Sequence, residues 1–555
     1  MTEVDLRPVR KRSAFRAKLA AYNSDPQGRR WIFVPYDQLT DCIGPLARLD
    51  PSDAGIVLVE NTWKAALRPY HKQKLALILS NLRHFALEQA ERGVAVRHVV
   101  SRGQYRDALR PLTEELGGLT VMEPAERELR IDLAPLVAEG RLTTLPHEGW
   151  LTTHKQFDES QNGPPPWRMD AFYRRVRNDS GILMDEAGKP AGGKYSFDAQ
   201  NRKPWKGEPP APAAPSFRLD PIKMEVLDLV DASFGDHPGE LRPESLPGTQ
   251  SDAEALWVRA MAECFESFGP YEDAMSTRSE GLFHTQISFL LHVHRILPRR
   301  VVEEVAASAA PLASREGFVR QVLGWREFMR HVHVRTNGFH DLSGREEAGS
   351  ELTPEPAAPS SLGADRTLPP AWWGAKSGLT CLDTVVSSVN RTGYSHHITR
   401  LMVLANLATL LDISPRELTD WFWVMYTDAF DWVVEPNVLG MGTFGAGELM
   451  TTKPYVSGAA YISRMSDYCG SCVFDPKKDC PVTPLYWAFL ARHEEELRKN
   501  PRMRLPLASM RKRTEAARLR DEVVFEWVSR ELSGGRQLDP AALDRIDRPI
   551  RTDRS

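Results

Sequence analysis

Long apolar runs are missing from this sequence, and its positive and negative charges nearly cancel. No stretch approaches the ~18 consecutive apolar residues that a membrane-spanning helix requires, so we expect no membrane partner. The 71 Lys and Arg residues face 74 Asp and Glu residues, for a net charge of −3. A nucleic-acid partner would therefore need a local basic surface. The first residues also lack the apolar segment of a secretory signal, and we expect a cytoplasmic monomer.

Cysteine is scarce too, and the few cysteines are unevenly spread. Three of the six fall within twelve residues, in the pattern Cys469-x2-Cys472-x7-Cys480-Pro; the others are Cys42, Cys264 and Cys381. In a long cytosolic chain, clustered cysteines indicate metal ligands rather than disulfides. With Cys381 as a candidate fourth ligand, the set suits zinc or an iron–sulfur cluster. The lack of a second CxxC pair and the proline after the last cysteine favour [4Fe–4S], while zinc and unliganded core cysteines remain open.

Strand signals are common only in the first part of the chain. Short apolar runs at 31–37, 55–61, 94–100, 119–125 and 141–147 alternate with helical patterns, which predicts a doubly wound parallel sheet. The best helical pattern spans 71–93, with one apolar face and a glycine at its end. The face and the glycine are formed by Leu75, Leu79, Leu82, Phe85 and Gly93.

Ligands of such sheets bind at the carboxyl ends of the strands. Asp37, Gln38 and Glu60 lie at two of those ends. They are candidates for ligand binding, and an equally simple interpretation is that they are loop residues and helix caps.

At 555 residues the chain is too long for one core, so we predict two or three domains. Residues 1–30 are polar and basic and predict a flexible extension. We expect an α/β domain over 31–150 and a strap or linker over 151–215, where aromatics precede a Pro/Ala stretch. Residues 216–555 have helical patterns and few strand signals, which predicts an all-α domain, with a turn-rich insertion at 338–370.

Reactive side chains concentrate between residues 391 and 481. A histidine beside a pocket can act as a general acid near neutral pH, and His396 and His397 are adjacent; a satisfied core histidine is the alternative. Five tryptophans flank them, and aromatics at such spacing can equally be core. The GMGTFG run at 440–445 matches a dinucleotide fingerprint, but no strand precedes it, so we interpret it as a helix–helix loop that lets backbone approach a ligand.

Four motifs together resemble one known family. They are YSHHITRLM, EPNVLGM, TKPYVSGAAYISRMSDYC and GGKYSFDAQNRKP. Between about residue 31 and residue 520 the chain is similar to the photolyase/cryptochrome superfamily, and most similar to its iron–sulfur bacterial branch, the prokaryotic (6-4) photolyases. The resemblance implies an N-terminal α/β antenna domain, an interdomain strap and an all-α domain that holds FAD. It also implies a lyase that uses light and reduced FAD to repair (6-4) pyrimidine–pyrimidone photoproducts in UV-damaged DNA.

The resemblance also implies roles for individual residues. His396, His397 and Tyr455 match lesion-side catalytic residues, and one of the histidines would donate a proton. Trp373 and Trp421 match tryptophans of an electron path. Cys381, Cys469, Cys472 and Cys480 match the ligands of a [4Fe–4S] cluster. Asp37 and Glu60 match acids that hold a ribityllumazine antenna. The matches to FAD-binding residues are Tyr271, Thr285, Gln286, Ser288, Trp325, Arg326, Arg400, Asp428 and Asn437.

The sequence departs from the family at a few positions. The spacing before the last cysteine is short, and Phe422 and Phe430 stand where some relatives have tyrosines that assist electron transfer. Basic residues that could contact DNA phosphates, or could simply be solvated surface charge, are Arg202, Lys203, Lys453 and Arg464. Two other functions stay open: a blue-light photoreceptor with little or no repair activity, and a metal-dependent nucleic-acid-binding protein without flavin.

Overall fold

The N-terminal part of the protein is built on one parallel sheet. The structure, a computed structural model, describes residues 13–22, 25, 27–344 and 354–545. All five predicted strands form and pair in parallel in the order β3-β2-β1-β4-β5. Their bounds are Arg30–Phe33 (β1), Ala54–Asn61 (β2), Ala95–Ser101 (β3), Leu119–Met122 (β4) and Leu142–Leu145 (β5). The prediction of a doubly wound parallel sheet is confirmed.

Helices connect and cover these strands because parallel neighbours need crossover connections. The helix at Lys72–Glu91 is followed by Gly93 in the left-handed conformation, with φ 97°, as its sequence pattern predicts. Of its predicted apolar face, Leu82 and Phe85 are buried whereas Leu75 and Leu79 are only partly covered. The other helices of this part are Ala14–Leu19, Trp63–Leu67, Tyr105–Leu116 and Arg127–Ala138.

The prediction that residues 1–30 form a flexible extension is wrong for the part that the structure describes. Ala14–Leu19 is a helix capped by Ser13, whose side chain accepts a hydrogen bond from the Arg16 backbone. Phe15 is 1% exposed, with its ring 4.7 Å from that of His98. The buried Phe15 ring and two hydrogen bonds to Glu225, from the Ser13 hydroxyl and the Phe15 backbone, hold this short helix in place. Residues 1–12 lie outside the described residues.

Beyond the sheet, the regular secondary structure of the described chain is helical, as predicted. The helices there are His154–Ser160, Met169–Ser180, Pro221–Phe234, Gln250–Glu263, Phe265–Phe268, Ser288–His292, Pro298–Ala307, Leu312–Val319, Glu327–Arg335, Thr380–Thr392, His397–Thr399, Asn406–Leu410, Pro415–Met425, Asp431–Glu435, Ala459–Met465, Val482–Arg492, Glu494–Leu497, Arg504–Arg511 and Glu515–Ser533. None of the helices in the described ranges is long and apolar enough to cross a membrane. Residues 345–353 of the predicted insertion lie outside the described residues.

Three segments of this part are π-helical rather than α-helical: Arg320–Arg326, Arg400–Ala405 and Pro436–Gly442. Single π-helical turns inside helices are uncommon and are frequent at functional sites. Each of the three segments contains at least one residue that the sequence matched to FAD binding: Trp325, Arg326, Arg400 and Asn437.

The third π-helical segment also corrects the interpretation of GMGTFG as a loop that approaches a ligand. Gly440 and Gly442 lie within the π-helical turn. A Cβ atom on Gly440 would lie 2.3 Å from the Met450 sulfur, and one on Gly442 would lie 3.1 Å from the Ala405 Cβ. These glycines therefore permit close packing of protein against protein.

Candidate functional site

The histidine pair follows directly after one helix. Thr380–Thr392 ends at Gly393, which has a φ of 65° and therefore suits a glycine. His71 fixes this end, since its Nε2 lies 3.1 Å from the carbonyl oxygen of Val389 and 3.0 Å from that of Asn390. His396 is extended, with a ψ of 165°, and His397 begins the next short helix. This change of conformation turns the two imidazoles in different directions.

His396 points inward and stacks on a third histidine. The ring centroids of His396 and His284 lie 4.5 Å apart with the planes 13° from parallel. Burial, followed by the charge of His284, lowers the pKa of His396 well below its usual value. Burial and the charge of His397 lower the pKa of His284 to about 3. Both stacked imidazoles are therefore neutral at neutral pH.

The stacked pair still has hydrogen-bonding capacity to offer. Nδ1 of His396 and Nε2 of His284 are buried and lack a hydrogen-bond partner within the described part of the chain. One ring nitrogen from each of His284, His396 and His397 lies within 4.8 Å of the others. The three rings thus present nitrogens to one small region, where a polar ligand could pair with them.

His397 points outward and is backed by an acid. Its side chain is 42% exposed, and its Nε2 lies 3.5 Å from Oδ1 of Asp273. Tyr461 donates a hydrogen bond of 3.2 Å to the same carboxylate. Burial by itself raises the pKa of Asp273, but the hydrogen bond and charge of His397 lower it below its usual value. Asp273 is therefore an ionised acceptor behind the exposed imidazole.

One exposed basic side chain lies close to the acid behind His397. Arg202, from the strap, lies 3.8 Å from Asp273, and its side chain is 53% exposed. Tyr455 is close enough to feel the charges of Arg202 and Arg502, although burial dominates and raises its pKa. The other predicted phosphate contacts, Lys203, Lys453 and Arg464, are exposed.

A buried ion pair lies next to the histidines along the chain. Both Arg400 nitrogens Nη1 and Nη2 donate to the Asp428 carboxylate, each at 3.0 Å. Ser288 donates to the same carboxylate at 2.6 Å. Burial raises the pKa of Asp428, but Arg400 outweighs burial and lowers it. The structure therefore brings together three predicted FAD residues that are far apart in the sequence.

A fourth predicted FAD residue, Arg326, lies beyond His292 from this ion pair. Arg326 is buried, donates at 2.5 Å to Glu327 and leaves its Nε without a partner among the described residues. His292 feels the charges of both Arg326 and Asp428, and its buried Nδ1 also lacks a described partner. Unpaired buried donors and acceptors are costly unless a ligand pairs with them. The polar groups present here therefore fit a polar cofactor such as FAD.

The other predicted FAD residues have mixed surroundings. Gln286 has a left-handed backbone, with a φ of 55°. Its side-chain amide packs so closely on Gly281 that a Cβ atom on that glycine would lie 2.0 Å from the amide nitrogen. Thr285, beside it, is half-buried. Tyr271 stacks near Phe283 and donates to the strap carbonyl of Glu208 at 3.1 Å. The side chains of Trp325 and Asn437 already have partners within the chain. Trp325 packs on Phe328, and Asn437 donates a hydrogen bond to the Val433 carbonyl.

Aromatic side chains lead from the surface toward Arg400. Trp373 is 47% exposed, whereas Trp421 is 1% exposed and donates its indole N–H to the carbonyl of Trp372, the neighbour of Trp373. Inward from Trp421, the rings of Phe422 and Tyr426 lie 5.2 and 5.9 Å away. The Arg400 guanidinium lies 4.1 Å above the Tyr426 ring. Ring contacts thus connect Trp421 to Tyr426, and Trp373 is related to them only through its chain neighbour Trp372.

The four predicted cysteine ligands line one cavity. Except for the thiols its walls are apolar; they are formed by Leu379, Cys381, Ala459, Ile462, Tyr468, Cys469, Cys472, Phe474, Cys480 and Val482. Burial and then the charges of the other three thiols raise the pKa of Cys381, and burial raises that of Cys480 to about 12. Four thiols converging in an apolar cavity fit a metal group that takes up their negative charge.

The two predicted antenna acids have opposite surroundings. Glu60 is held by Arg83 at 2.5 and 2.9 Å and by His98 at 3.1 Å. Although burial raises the pKa of Glu60, these partners lower it to about 2. Asp37 accepts one hydrogen bond from the Ala125 backbone, and its buried Oδ1 has no described partner. Burial raises the pKa of Asp37 to about 6. Only Asp37 keeps a buried oxygen for a ligand.

Sequence reasoning missed three residues of the histidine site. Asp273 and Tyr461 back His397, and His284 stacks on His396. His284 stands in the same LFHTQIS segment that the sequence assigned to FAD, so a histidine beside a ligand segment was an available signal. Asp273 and Tyr461 are ordinary acidic and aromatic residues with no local motif.

Comparisons with known proteins cover most of the chain. A family model described as deoxyribodipyrimidine photo-lyase-related protein matches residues 32–246. A second, described as the FAD binding domain of DNA photolyase, matches residues 318–466. The chain is 34% identical over 506 residues to a (6-4) photolyase of Agrobacterium fabrum, covering 88% of this chain and 96% of that protein.

The fold has a solved counterpart. A bacterial class III photolyase from Agrobacterium tumefaciens matches 92% of this chain and 99% of its own, with a TM-score of 0.53 and 14% identity. At that identity the likeness concerns the fold alone.

Proposed function

The chain belongs to the photolyase/cryptochrome superfamily, and on that basis we propose that it is a DNA photolyase that repairs (6-4) pyrimidine–pyrimidone photoproducts. The observation that carries the proposal is the 34% identity to a (6-4) photolyase over 88% of the chain. Identity of that extent includes both the sheet domain and the helical domain. The matched FAD domain makes a flavin-free nucleic-acid-binding protein the weaker alternative.

FAD is the cofactor that this function requires. Ser288, Arg400 and Asp428 would hold it, with Arg326 and the Thr285–Gln286 segment as further contacts. When bound and reduced, FAD supplies the light-driven electron that opens the lesion. The fixed positive charge of Arg400 is paired inside the protein, so it can orient polar groups of the cofactor without needing water.

We propose His397 as the proton donor. Its side chain is exposed, and the ionised Asp273 lies 3.5 Å behind its Nε2 and can orient the ring. A new anionic centre on a damaged base needs such an acid within hydrogen-bond reach. His396 and His284, being neutral and buried, would offer hydrogen bonds and shape rather than charge. Tyr455 would complete the lesion side of the site.

Damaged DNA would be held by the exposed basic residues around His397. Arg202, Lys203, Lys453 and Arg464 are exposed and suit phosphate contacts. A lesion must leave the duplex to reach a half-buried histidine, and a poorly stacked damaged pair makes this step cheaper. Trp373 and Trp421 would pass electrons inward when oxidised flavin is being reduced.

Two further groups fit the chain. The four thiols would bind a [4Fe–4S] cluster: a single zinc ion needs its sulfurs at about 2.3 Å from the metal, and the four thiols, although they line one cavity, are not gathered that closely. Only the three histidines, within the described ranges, bring their ligand atoms close enough for one ion. A ribityllumazine antenna would be held by Asp37, whose unpartnered oxygen can accept a hydrogen bond; Glu60 would orient the site through Arg83.

Repair of a defined oligonucleotide tests this proposal. Chemically reduced protein is illuminated with an oligonucleotide that carries one (6-4) photoproduct, beside a dark sample and a cyclobutane-dimer substrate. We expect light-dependent restoration of the (6-4) substrate only. If the protein contains reduced FAD and restores neither substrate, the repair function is excluded, and a photoreceptor role takes its place.

A further inference from the structure

A basic groove runs along the outside of the thiol cavity. Its volume is about 200 Å³, and Cys480 lines both the groove and the cavity. Four cationic side chains and a single carboxylate line the groove: Lys477, Lys478, Arg513, Arg520 and Asp521. On a chain with a net charge of −3, this is a local reversal of sign next to a proposed cluster ligand.

The floor of the groove is fixed. Arg513 donates to both oxygens of Asp521, at 2.8 and 2.9 Å, and its guanidinium lies 4.9 Å from the centroid of the Trp487 ring. The lysines, in contrast, stand at the rim: Lys477 is exposed, and the side chain of Lys478 is 80% exposed. Lys478 lies 3.6 Å from Asp475. An aromatic floor with exposed cations at its rim suits a large anionic partner better than a buried small ligand.

Apolar side chains are exposed on the same two elements. Val473, in the cysteine-bearing loop, is 59% exposed, and Leu519, beside Arg520, is 51% exposed. Phosphate backbones gain little from such side chains, whereas protein partners bury them. The mixture of lysines, tryptophan and exposed aliphatic residues therefore favours a protein over nucleic acid.

We propose that this groove docks an acidic one-electron carrier protein, which exchanges electrons with the metal group behind Cys480. One electron leaves the reduced carrier, which becomes oxidised, and enters the group held by the four thiols; no bond forms or breaks. The inference rests on the proposed cluster, and Cys480, which forms the wall between the groove and the cavity, offers the shortest covalent route. Complementary charge brings the carrier to this wall.

A plant-type [2Fe–2S] ferredoxin, with a potential of about −400 mV, is a suitable acidic probe. Holoprotein is mixed with the reduced ferredoxin without oxygen; binding is measured by calorimetry, and electron arrival at the cluster by electron paramagnetic resonance. We expect the Lys477→Glu/Lys478→Glu variant to lose about tenfold in both binding and transfer rate at low salt, with the wild-type advantage shrinking as salt rises. Dithionite should still reduce the variant cluster.

A matched variant controls for total charge. Lys155→Glu/Arg299→Glu reverses two exposed cations on helices outside the groove, and it should bind and react within about twofold of wild type, since steering is local. Equal rates for the two variants, or no binding to wild type at low salt, would overturn the proposal.

Two other results separate this proposal from the proposed function. If the groove variant loses affinity for damaged oligonucleotide as strongly as for ferredoxin, the groove belongs to nucleic acid and the inference is wrong. If wild-type protein contains no iron, the inference also falls. If only the inference fails, both the groove variant and the charge control should still repair the lesion in light after chemical reduction, because that repair does not need the carrier protein.

Discussion

The histidine site and the thiol cavity lie at opposite ends of one helix and handle their reactive groups in opposite ways. Cys381 stands in the first turn of Thr380–Thr392, and His396 follows its last residue by four. The 13 residues of that helix span about 20 Å. At the cavity, four thiols face one another inside apolar walls. At the histidine site, one imidazole is exposed and paired with an acid, while two others keep unpartnered nitrogens.

This difference distinguishes a site for a group that stays bound from a site for a ligand that binds from solvent. An apolar cavity lined by four thiols suits a group that stays bound and takes up their charge. An exposed His397 beside buried nitrogens can be completed only by a ligand that arrives from solvent. The helix that joins the two regions allows a group bound at Cys381 to fix the position of the histidines.

The largest expected effect comes from removing the group that we propose is bound by the four thiols. Cys381→Ser removes a soft ligand from the start of the joining helix, and we expect iron to fall from about four per chain to below about one. Because metal binding adds to folding free energy, the midpoint of denaturant unfolding should also drop. Iron and sulfide analysis and urea unfolding measure both effects.

The control for this prediction is another buried cysteine. Cys264 is 5% exposed but contacts the His284 carbonyl instead of the cavity, so Cys264→Ser should keep its iron. Equal iron loss in the two variants, or full iron in Cys381→Ser, would show that the cavity does not hold a cluster through these four thiols.

The next largest effect concerns the exposed histidine. His397→Ala removes the proposed acid, and we expect repair per photon to fall at least about 100-fold, the range of general acid catalysis. His396→Ala should lose about tenfold or less, because a neutral imidazole is a far weaker acid than a protonated one. Single-turnover repair, with FAD content and affinity for the damaged oligonucleotide measured alongside, distinguishes chemistry from binding.

The matched variant is Asp273→Asn, which keeps the shape behind His397 but removes its charge. An intermediate loss of repair is expected, with FAD content unchanged. A larger loss in His396→Ala than in His397→Ala would reverse the assignment of the proton donor.

The two regions also differ in how much of them the sequence reveals. The thiol ligands fall in a short motif plus Cys381, and the structure brings all four to one cavity. The five strands and the helical remainder follow from hydrophobic periodicity, which burial enforces. Asp273 lies 124 residues before His397, and such a contact depends on tertiary packing that no local pattern encodes. The helix Ala14–Leu19 was missed for the same reason, since the burial of Phe15 and the hydrogen bonds to Glu225 are tertiary contacts.

The prediction with the smallest expected effect concerns Asp37. It tests whether a buried atom without a hydrogen-bond partner marks a ligand site elsewhere in the molecule. Asp37 is 1% exposed, and burial raises its pKa to about 6 from 3.8. As pH rises through this range, the unfolded chain ionises first, so the folded state loses stability until about pH 6 and then levels off. At ~1.4 kcal/mol per unit the cost is about 3 kcal/mol. Asp37→Asn should thus stabilise antenna-free protein by about that much at pH 8 and by about half as much at pH 5.

Glu60→Gln is the matched change in the same sheet domain, and its sign should be opposite. It breaks a buried pair with Arg83, and removing one partner of such a pair costs about 3–5 kcal/mol. Urea unfolding at the two pH values measures both variants. If Asp37→Asn destabilises at pH 8 as Glu60→Gln does, then Asp37 is a structural acid, and an unpartnered oxygen in this fold is not evidence of a ligand. If it stabilises the protein and also prevents antenna binding, the cost that Asp37 imposes on folding is explained by the ligand it serves.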